Sequence, residues 1–280
     1  MMPRVLKKVA SIFNLISLPR IVLRQRNLLW QLVKRQIQQR YQGSVLGLVW
    51  SFVQPLMMLL VYTFVFSVVF NAKWGIEREE GRGTFAIVMF CGMTMFTLFS
   101  EAVGQGCLCI VNNQNLVKKV VFPIEILPVA QVLVTYTIGL VWILLLFIGS
   151  IVVLGFCGWT MLLLPLVMLP LVLFTLGISF FLASLGVYIR DTSYVVGVVL
   201  QMLFFATPIF YPISAVPKDL RWILECNPLT VFIEQARRVF LYGMMPDWGF
   251  LGIAAVISVV VLQLGFFFFS QTKRGFADVL

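Results

Sequence analysis

The amino-acid sequence predicts an all-α integral membrane protein with six transmembrane helices, and three observations carry that prediction. Of 280 residues, 61% are hydrophobic and 11% charged, with a mean hydropathy of +1.00, whereas soluble chains carry about 25% charged residues. The apolar residues gather into long uncharged runs, and a helix needs about 20 of them to cross a hydrocarbon core. Lys and Arg concentrate in alternate connections between those runs. Runs this long mean helices, because lipid leaves the backbone no other partner for its polar groups outside a closed barrel.

Residues 1–44 form the first element, a basic N-terminal region. Up to residue 49 it holds nine Lys or Arg and no Asp or Glu. It has no small-residue cleavage pattern and is expected to be retained. Within it, NLLWQLVKRQIQQRYQ (27–42) reads as an amphipathic interfacial helix, with Leu29, Val33, Ile37 and Tyr41 recurring every four residues. Its apolar face is expected in lipid and its basic face toward anionic headgroups. Lys34, Arg35 and Arg40 then make either a plain juxtamembrane anchor or the basic entrance floor for an anionic substrate.

The transmembrane domain is predicted over 45–272. Span one, 45–70, has no charge, and span two, 84–111, has only Glu101. The uncharged stretch 126–189 is too long for one helix and is divided into spans 126–154 and 161–189 by the turn GFCGWT (155–160). Span five is placed at 192–212 and span six at 248–272, with 273–280 as a cytoplasmic tail. Six spans put both ends of the chain on one side. That side carries fourteen Lys or Arg against three Asp or Glu, and the other side seven of each. The bias makes the basic side cytoplasmic.

Several chemistries are disfavoured. The chain has no histidine, hence neither the commonest metal ligand nor the usual neutral-pH base. Its five cysteines form no C-x-x-C pair and read as small buried apolar groups; a Cys157–Cys226 bridge needs both on the external side. The adjacent acids Glu79 and Glu80 read as a solvated external turn. Glu101 reads as a polar contact in preference to a proton site. No G-x-x-x-x-G-K phosphate loop occurs, so no ATP hydrolysis by that route is expected.

One connection stands out. NQNLVKKVVFPIEILP (113–128) places Lys118 and Lys119 among Leu116, Val117, Val120, Val121 and Phe122. Asn112, Asn113 and Asn115 can cap or end helices, and Pro123 and Pro128 are expected to break the backbone before span three. A loop needing only solubility would not carry this apolar surface. The residues leave docking on a partner protein and re-entry into lipid equally open.

That stretch, RYQGSVLGLVWSFVQPLMMLLVYTFVFSVVF (40–70), YIRDTSYVVGVVLQMLFFATPIFYP (188–212) and NPLTVFIEQARRVFLYG (227–243) stand in one order along the chain. Together they resemble the membrane subunit of ATP-binding-cassette polysaccharide exporters of the O-antigen and teichoic-acid type. The likeness covers nearly the whole chain, departing locally at Gln54, where Asn is the more usual residue before Pro55. It implies a homodimeric, channel-forming permease in the bacterial inner membrane, joined to two copies of a cytoplasmic ATPase. ATP and Mg would be held by that partner, with no cofactor, metal or nucleic acid on this chain. The substrate implied is a lipid-linked glycan, O-antigen foremost.

The resemblance further implies site residues. Asn115, Leu116, Lys118, Lys119, Phe122 and Pro123 would couple to the ATPase, with Arg190 and Asp191 as a second contact or a local helix-capping pair. Pro55, Tyr62, Tyr194, Phe204, Phe205, Phe210 and Tyr211 would line the substrate path or its lateral gate. Within 213–247, Asn227, Pro228, Leu229, Glu234 and Arg237 would belong to short re-entrant external gate helices, with Ile233, Ala236, Val239 and Phe240 on one stripe. An exporter of teichoic acid, capsule or a small molecule shares this architecture. A membrane-embedded glycan-building enzyme and an ion-coupled carrier fit less well, because paired acids and multiple intramembrane charges are missing.

Overall fold

The computed structural model describes residues 17–70, 74, 82–119, 122–155 and 158–280. The expectations for Glu79, Glu80, Val120, Val121 and Cys157, and for the first sixteen residues, lie outside these. Among the described residues every regular element is helical. Five helices are long and apolar enough to cross a membrane: Gly47–Val69, Gly83–Leu108, Ile126–Leu154, Trp159–Tyr188 and Trp248–Val279.

Helices α1 (Ser17–Arg24) and α2 (Arg26–Tyr41) precede α3 (Trp50–Thr63), which widens into a π-helix over Phe64–Val69. Helix α4 (Arg82–Leu108) runs back and is closed by Asn113, whose Nδ2 donates to the Cys109 carbonyl at 2.8 Å. The six-residue α5 (Gln114–Lys119) follows, then α6 (Ile126–Leu154). Pro128 lies in the first turn of α6, not before it, because a helix's first N–H groups have no intrahelical partner to lose. Helix α6 ends where Gly155 turns left-handed at φ 61°, a conformation open to glycine without steric cost.

Helices α7 (Leu164–Tyr188) and α8 (Thr192–Ala206) are joined by the short turn at Arg190-Asp191. Helix α8 has 15 residues, about 22 Å at 1.5 Å per residue, short of the expected 192–212. The apolar run continues, but Thr207 precedes Pro208 and is extended, at φ −103° and ψ 141°, as a residue before proline prefers. Helices α9 (Arg221–Glu225) and α10 (Pro228–Phe240) then lead into α11 (Trp248–Thr272), and α12 (Phe276–Val279) ends the chain.

Helix α4 is the hub. It packs on α3, α6, α7, α8 and α10, and 78% of its most apolar window is buried against 11% for span one. Two cores flank it. At the end bearing α10, Phe90, Phe96, Phe99, Trp142, Phe232 and Phe240 belong to one cluster. At the opposite, basic end, Leu29, Leu32 and Val33 of α2 join Ile126, Leu127, Phe269 and Phe276. The buried residues of α2 therefore rest on α6, not in lipid as the amphipathic pattern suggested. A 3.6-residue stripe marks an apolar neighbour without saying whether it is lipid or protein.

The closest helix pair is α7 with α11. Glycines at 177 and 265 let the two backbones touch: a Cβ on Gly177 would lie 2.6 Å from the Val261 carbonyl oxygen, and one on Gly265 would run into the Gly177 carbonyl. Small residues at such a crossing are how helices gain contact in lipid, where no hydrophobic force drives them together. Gly177→Ala and Gly265→Ala should each destabilise by about 1–3 kcal/mol through overpacking, read as a lowered thermal midpoint in detergent. Gly252→Ala on the same helix meets nothing within 4 Å and should leave the midpoint unchanged.

Candidate functional site

Helix α10 starts where Asn227 caps it, its Oδ1 accepting from the Leu229 N–H at 3.0 Å, with Pro228 at the first helical position. The Asn227 Nδ2 also donates to Thr207 Oγ1 at 3.0 Å, tying the cap to the broken end of α8. The stripe Ile233, Ala236, Val239 and Phe240 is fully buried, as expected, against α4, α7 and α11. Thr160 donates to the Val239 carbonyl, and Gln235 accepts from the Asp247 N–H, both at 2.7 Å.

Arg237 sits at the centre of this assembly with no solvent exposure. Its Nη1 donates to the Pro208 carbonyl at 2.8 Å and to Glu234 Oε1 at 2.7 Å. Nη2 donates to the Ile209 carbonyl at 3.1 Å, and Nε to the Val88 carbonyl of α4 at 3.3 Å. The guanidinium also lies 4.4 Å from the Trp74 ring centroid, within cation–π range. Gly92 makes the room: a Cβ there would lie 2.7 Å from Nη2. Among the predicted external residues, Asn227, Pro228, Leu229, Glu234 and Arg237 therefore converge on one joint between α10, α4 and the 207–209 break.

Beside that joint, six rings from three helices and the 207–212 segment meet. Tyr62 lies 5.2 Å from Phe210 and 6.0 Å from Phe204, and Phe66 stacks on Phe210 at 4.5 Å. Phe96 of α4 closes on Phe204 at 5.2 Å, and Phe205 stacks on Phe210 at 5.9 Å. Tyr211 joins through its hydroxyl, which donates to the Phe205 carbonyl at 2.9 Å. Tyr62, Phe204, Phe205, Phe210 and Tyr211 are thus brought together. Tyr194 is not: it is 78% exposed in the first turn of α8, at the basic end. Pro55 is buried within α3. Phe66 and Phe96 were not singled out in the sequence, since nothing in a Phe-rich span distinguishes one ring from another.

At the basic end, Asn115 and Lys118 of α5 are exposed, whereas Leu116, Phe122 and Pro123 are half-buried. Leu116 and Phe122 pack on the chain's own cluster, so they brace the loop from within. Lys119 belongs to α5. Glu125 is buried and ion-paired with Lys273, and the Tyr188 hydroxyl donates to the Thr272 carbonyl at 2.8 Å. These links clasp the chain's last helical turns to the loop, and α12 contacts α5. Arg190 and Asp191 are exposed at the α7–α8 turn and form no ion pair among the described residues. Lys34 and Arg35 are exposed on α2, while Arg40 pairs with Glu101. Neither pair was legible, because the partners lie 61 and 148 residues apart.

The arrangement joins a basic surface at one end of the helices to an aromatic seam and a hydrogen-bonded cap at the other. Residues 27–241 match the family described as ABC-2 type transporter. The chain is 32% identical over 271 residues to the O-antigen export system permease protein RfbA of Myxococcus xanthus, covering 94% of this chain and 99% of the relative. It is 25% identical over 259 residues to the Klebsiella pneumoniae protein of the same name, covering 91% and 95%. It is also 25% identical over 232 residues to the polysialic acid transport protein KpsM of Escherichia coli, covering 82% and 88%.

Arg237→Ala should unfold this end of the protein. Three backbone carbonyls and Glu234 would lose their donor, at about 1–3 kcal/mol for each buried group left unpaired. A loss of at least about 3 kcal/mol is expected, and Arg237→Lys should recover only part of it, since an ammonium cannot reproduce the planar fork. Thermal unfolding in detergent checks both; a wild-type midpoint for Arg237→Ala would refute the assignment.

Proposed function

Because this chain belongs to the ABC-2 type transporter family, we propose that it is the channel-forming permease subunit of an ATP-driven exporter of lipid-linked polysaccharide. The observation that carries this is likeness along almost the whole chain to permeases named for O-antigen export and polysialic acid transport. Both names describe polysaccharides, which favours a glycan substrate over a small molecule, and O-antigen is the first choice. Hydrolysis of ATP falls to a separate ATP-binding-cassette partner, which would also hold Mg.

Burial supports a conduit between two copies. The hub α4 is the most covered of the long helices, packed on α3, α6, α7, α8 and α10, which leaves a polymer little room through the middle of a single copy. Span one is the least covered span, and its face is free to meet a second protomer across a shared path. In this reading α3, α8 with its continuation to residue 212, and the ring seam between them form the wall and lateral gate. The cap built by α9 and α10 closes the external end.

The basic end is then cytoplasmic, in the bacterial inner membrane, with both chain ends on that side as the charge bias requires. The exposed residues Asn115 and Lys118, together with Lys119, meet the ATPase, and Leu116, Phe122 and Pro123 hold the loop in place. Arg190 and Asp191 are the second contact. Six membrane crossings follow if α8 and residues 207–212 together make the fifth.

Two measurements test this reading. Deleting the gene should trap lipid-linked polymer inside the cell and strip it from the surface, seen by staining the two pools separately; normal surface glycan would sink the polysaccharide reading. Charge reversal at Lys118 and Lys119 should cut co-purification of the ATPase by about tenfold, the scale of 1.4 kcal/mol, with membrane insertion unchanged. ATPase recovered at wild-type levels would remove the docking role from α5.

A further inference from the structure

Where α2 gives way to α3, a half-open cavity of about 210 Å³ lies between α3, α4 and α6. It lies toward the basic end, apart from the ring seam. Drug-sized sites run to about 300–1,000 Å³, so this one has room for a single small ring. Trp50, Trp142, Gln54, Thr97 and the Arg40–Glu101 pair are among its lining residues.

These residue types select a ligand class. Trp142 is a fixed wall, stacked on Phe90 with ring centroids 5.7 Å apart. Trp50 is partly exposed and offers a second indole face. Gln54 is exposed and Thr97 half-buried, and neither side chain is hydrogen-bonded among the described residues. One Glu101 oxygen accepts from one Arg40 nitrogen, which leaves the second carboxylate oxygen and further guanidinium N–H groups free, since Arg carries five such donors. Donors and acceptors stand beside aromatic faces within one small volume.

An acyl chain would leave those polar groups unpaired. A phosphate would meet the Glu101 carboxylate as a like charge. A neutral pyranose satisfies both constraints: its hydroxyls donate and accept, and its C–H face packs on indole. We propose that this cavity is a binding subsite for one neutral sugar of the glycan, at the cytoplasmic mouth of the transport path. The proposal rests on the polysaccharide-export reading. It adds a second sugar contact on span one, eight residues or about 12 Å below Tyr62, and it gives Glu101 a ligand-facing role beyond its pairing with Arg40.

The test places a diazirine-bearing residue at position 54, at position 62 and, as a lipid-facing control, at exposed Leu140, in the full transporter within cells that make the glycan. After irradiation, position 54 should yield a glycan ladder on the permease that disappears in a strain unable to polymerise the glycan. Thr97→Trp, which fills the cavity, should abolish that ladder while leaving the one from position 62. A ladder at 62 with none at 54, or phospholipid alone recovered at 54, overturns the sugar subsite and leaves export intact. Absence of a ladder at both positions also overturns it, and the deletion phenotype then decides separately whether glycan is the substrate.

Discussion

The end of the molecule bearing α10 depends on one constraint: a helix broken within an apolar run must find partners for the carbonyls it frees. Irregular backbone survives there only when protein or a water-filled cavity satisfies it. Helix α8 stops at Ala206, and the Pro208 and Ile209 carbonyls are taken up by a single guanidinium. That role explains why Arg237 is the fully buried cation of the 213–247 segment. It explains Gly92, whose missing Cβ leaves space for Nη2, and Glu234 one turn earlier, which offsets the charge. A lysine, with a compact ammonium and no fork, could not serve three carbonyls and a carboxylate at once.

The basic end is held by a different logic. There the apolar faces of α2, α12 and the 111–124 loop converge on Ile126, Leu127 and Phe269, and ion pairs tie segments distant in sequence. The Glu125–Lys273 pair binds the start of α6 to the end of α11. Helix α11 is in turn locked to α7 by backbone contact at Gly177 and Gly265. Helices α6, α11 and α7 are thereby tied to one another. Helices α3 and α8 are packed less closely on these three.

Much of this was legible in the sequence, for identifiable reasons. An uncharged run marked the helix at 248–272 and the start of the one at 126, and the glycine turn at 155 marked where the latter ends. The stripe through Ile233 and Phe240 announced a buried face. Charge counting failed at Arg237: it was tallied as one of four external cations, yet its partners are backbone carbonyls, which leave no mark in a sequence. Glu125 and Lys273 entered only the charge tally of the basic side, since pairing across 148 residues is a property of the fold. The early end of α8 was hidden because Ile209 and Phe210 are as apolar as the helix before them. Only the Thr207-Pro208 step carried the signal.

The distribution of burial bears on how a polymer could pass. Carriers that bind within a bundle leave a cavity at its axis, but here the axis is occupied by α4, whose Phe90, Phe96 and Phe99 fill the space between its neighbours. This packing favours the proposed path along the outside of the hub. Among the described spans, the first has the least cover and carries polar or ring-bearing side chains at both ends, Gln54 and Trp50 near the basic end and Tyr62 and Phe66 near the other. Helix α3 also relaxes into a π-turn at Phe64–Val69 beside the ring cluster, a distortion found often at functional sites. One helix thus joins the basic mouth to the aromatic seam, and a glycan following it would exchange water for hydroxyl, amide and ring contacts without crossing the packed core.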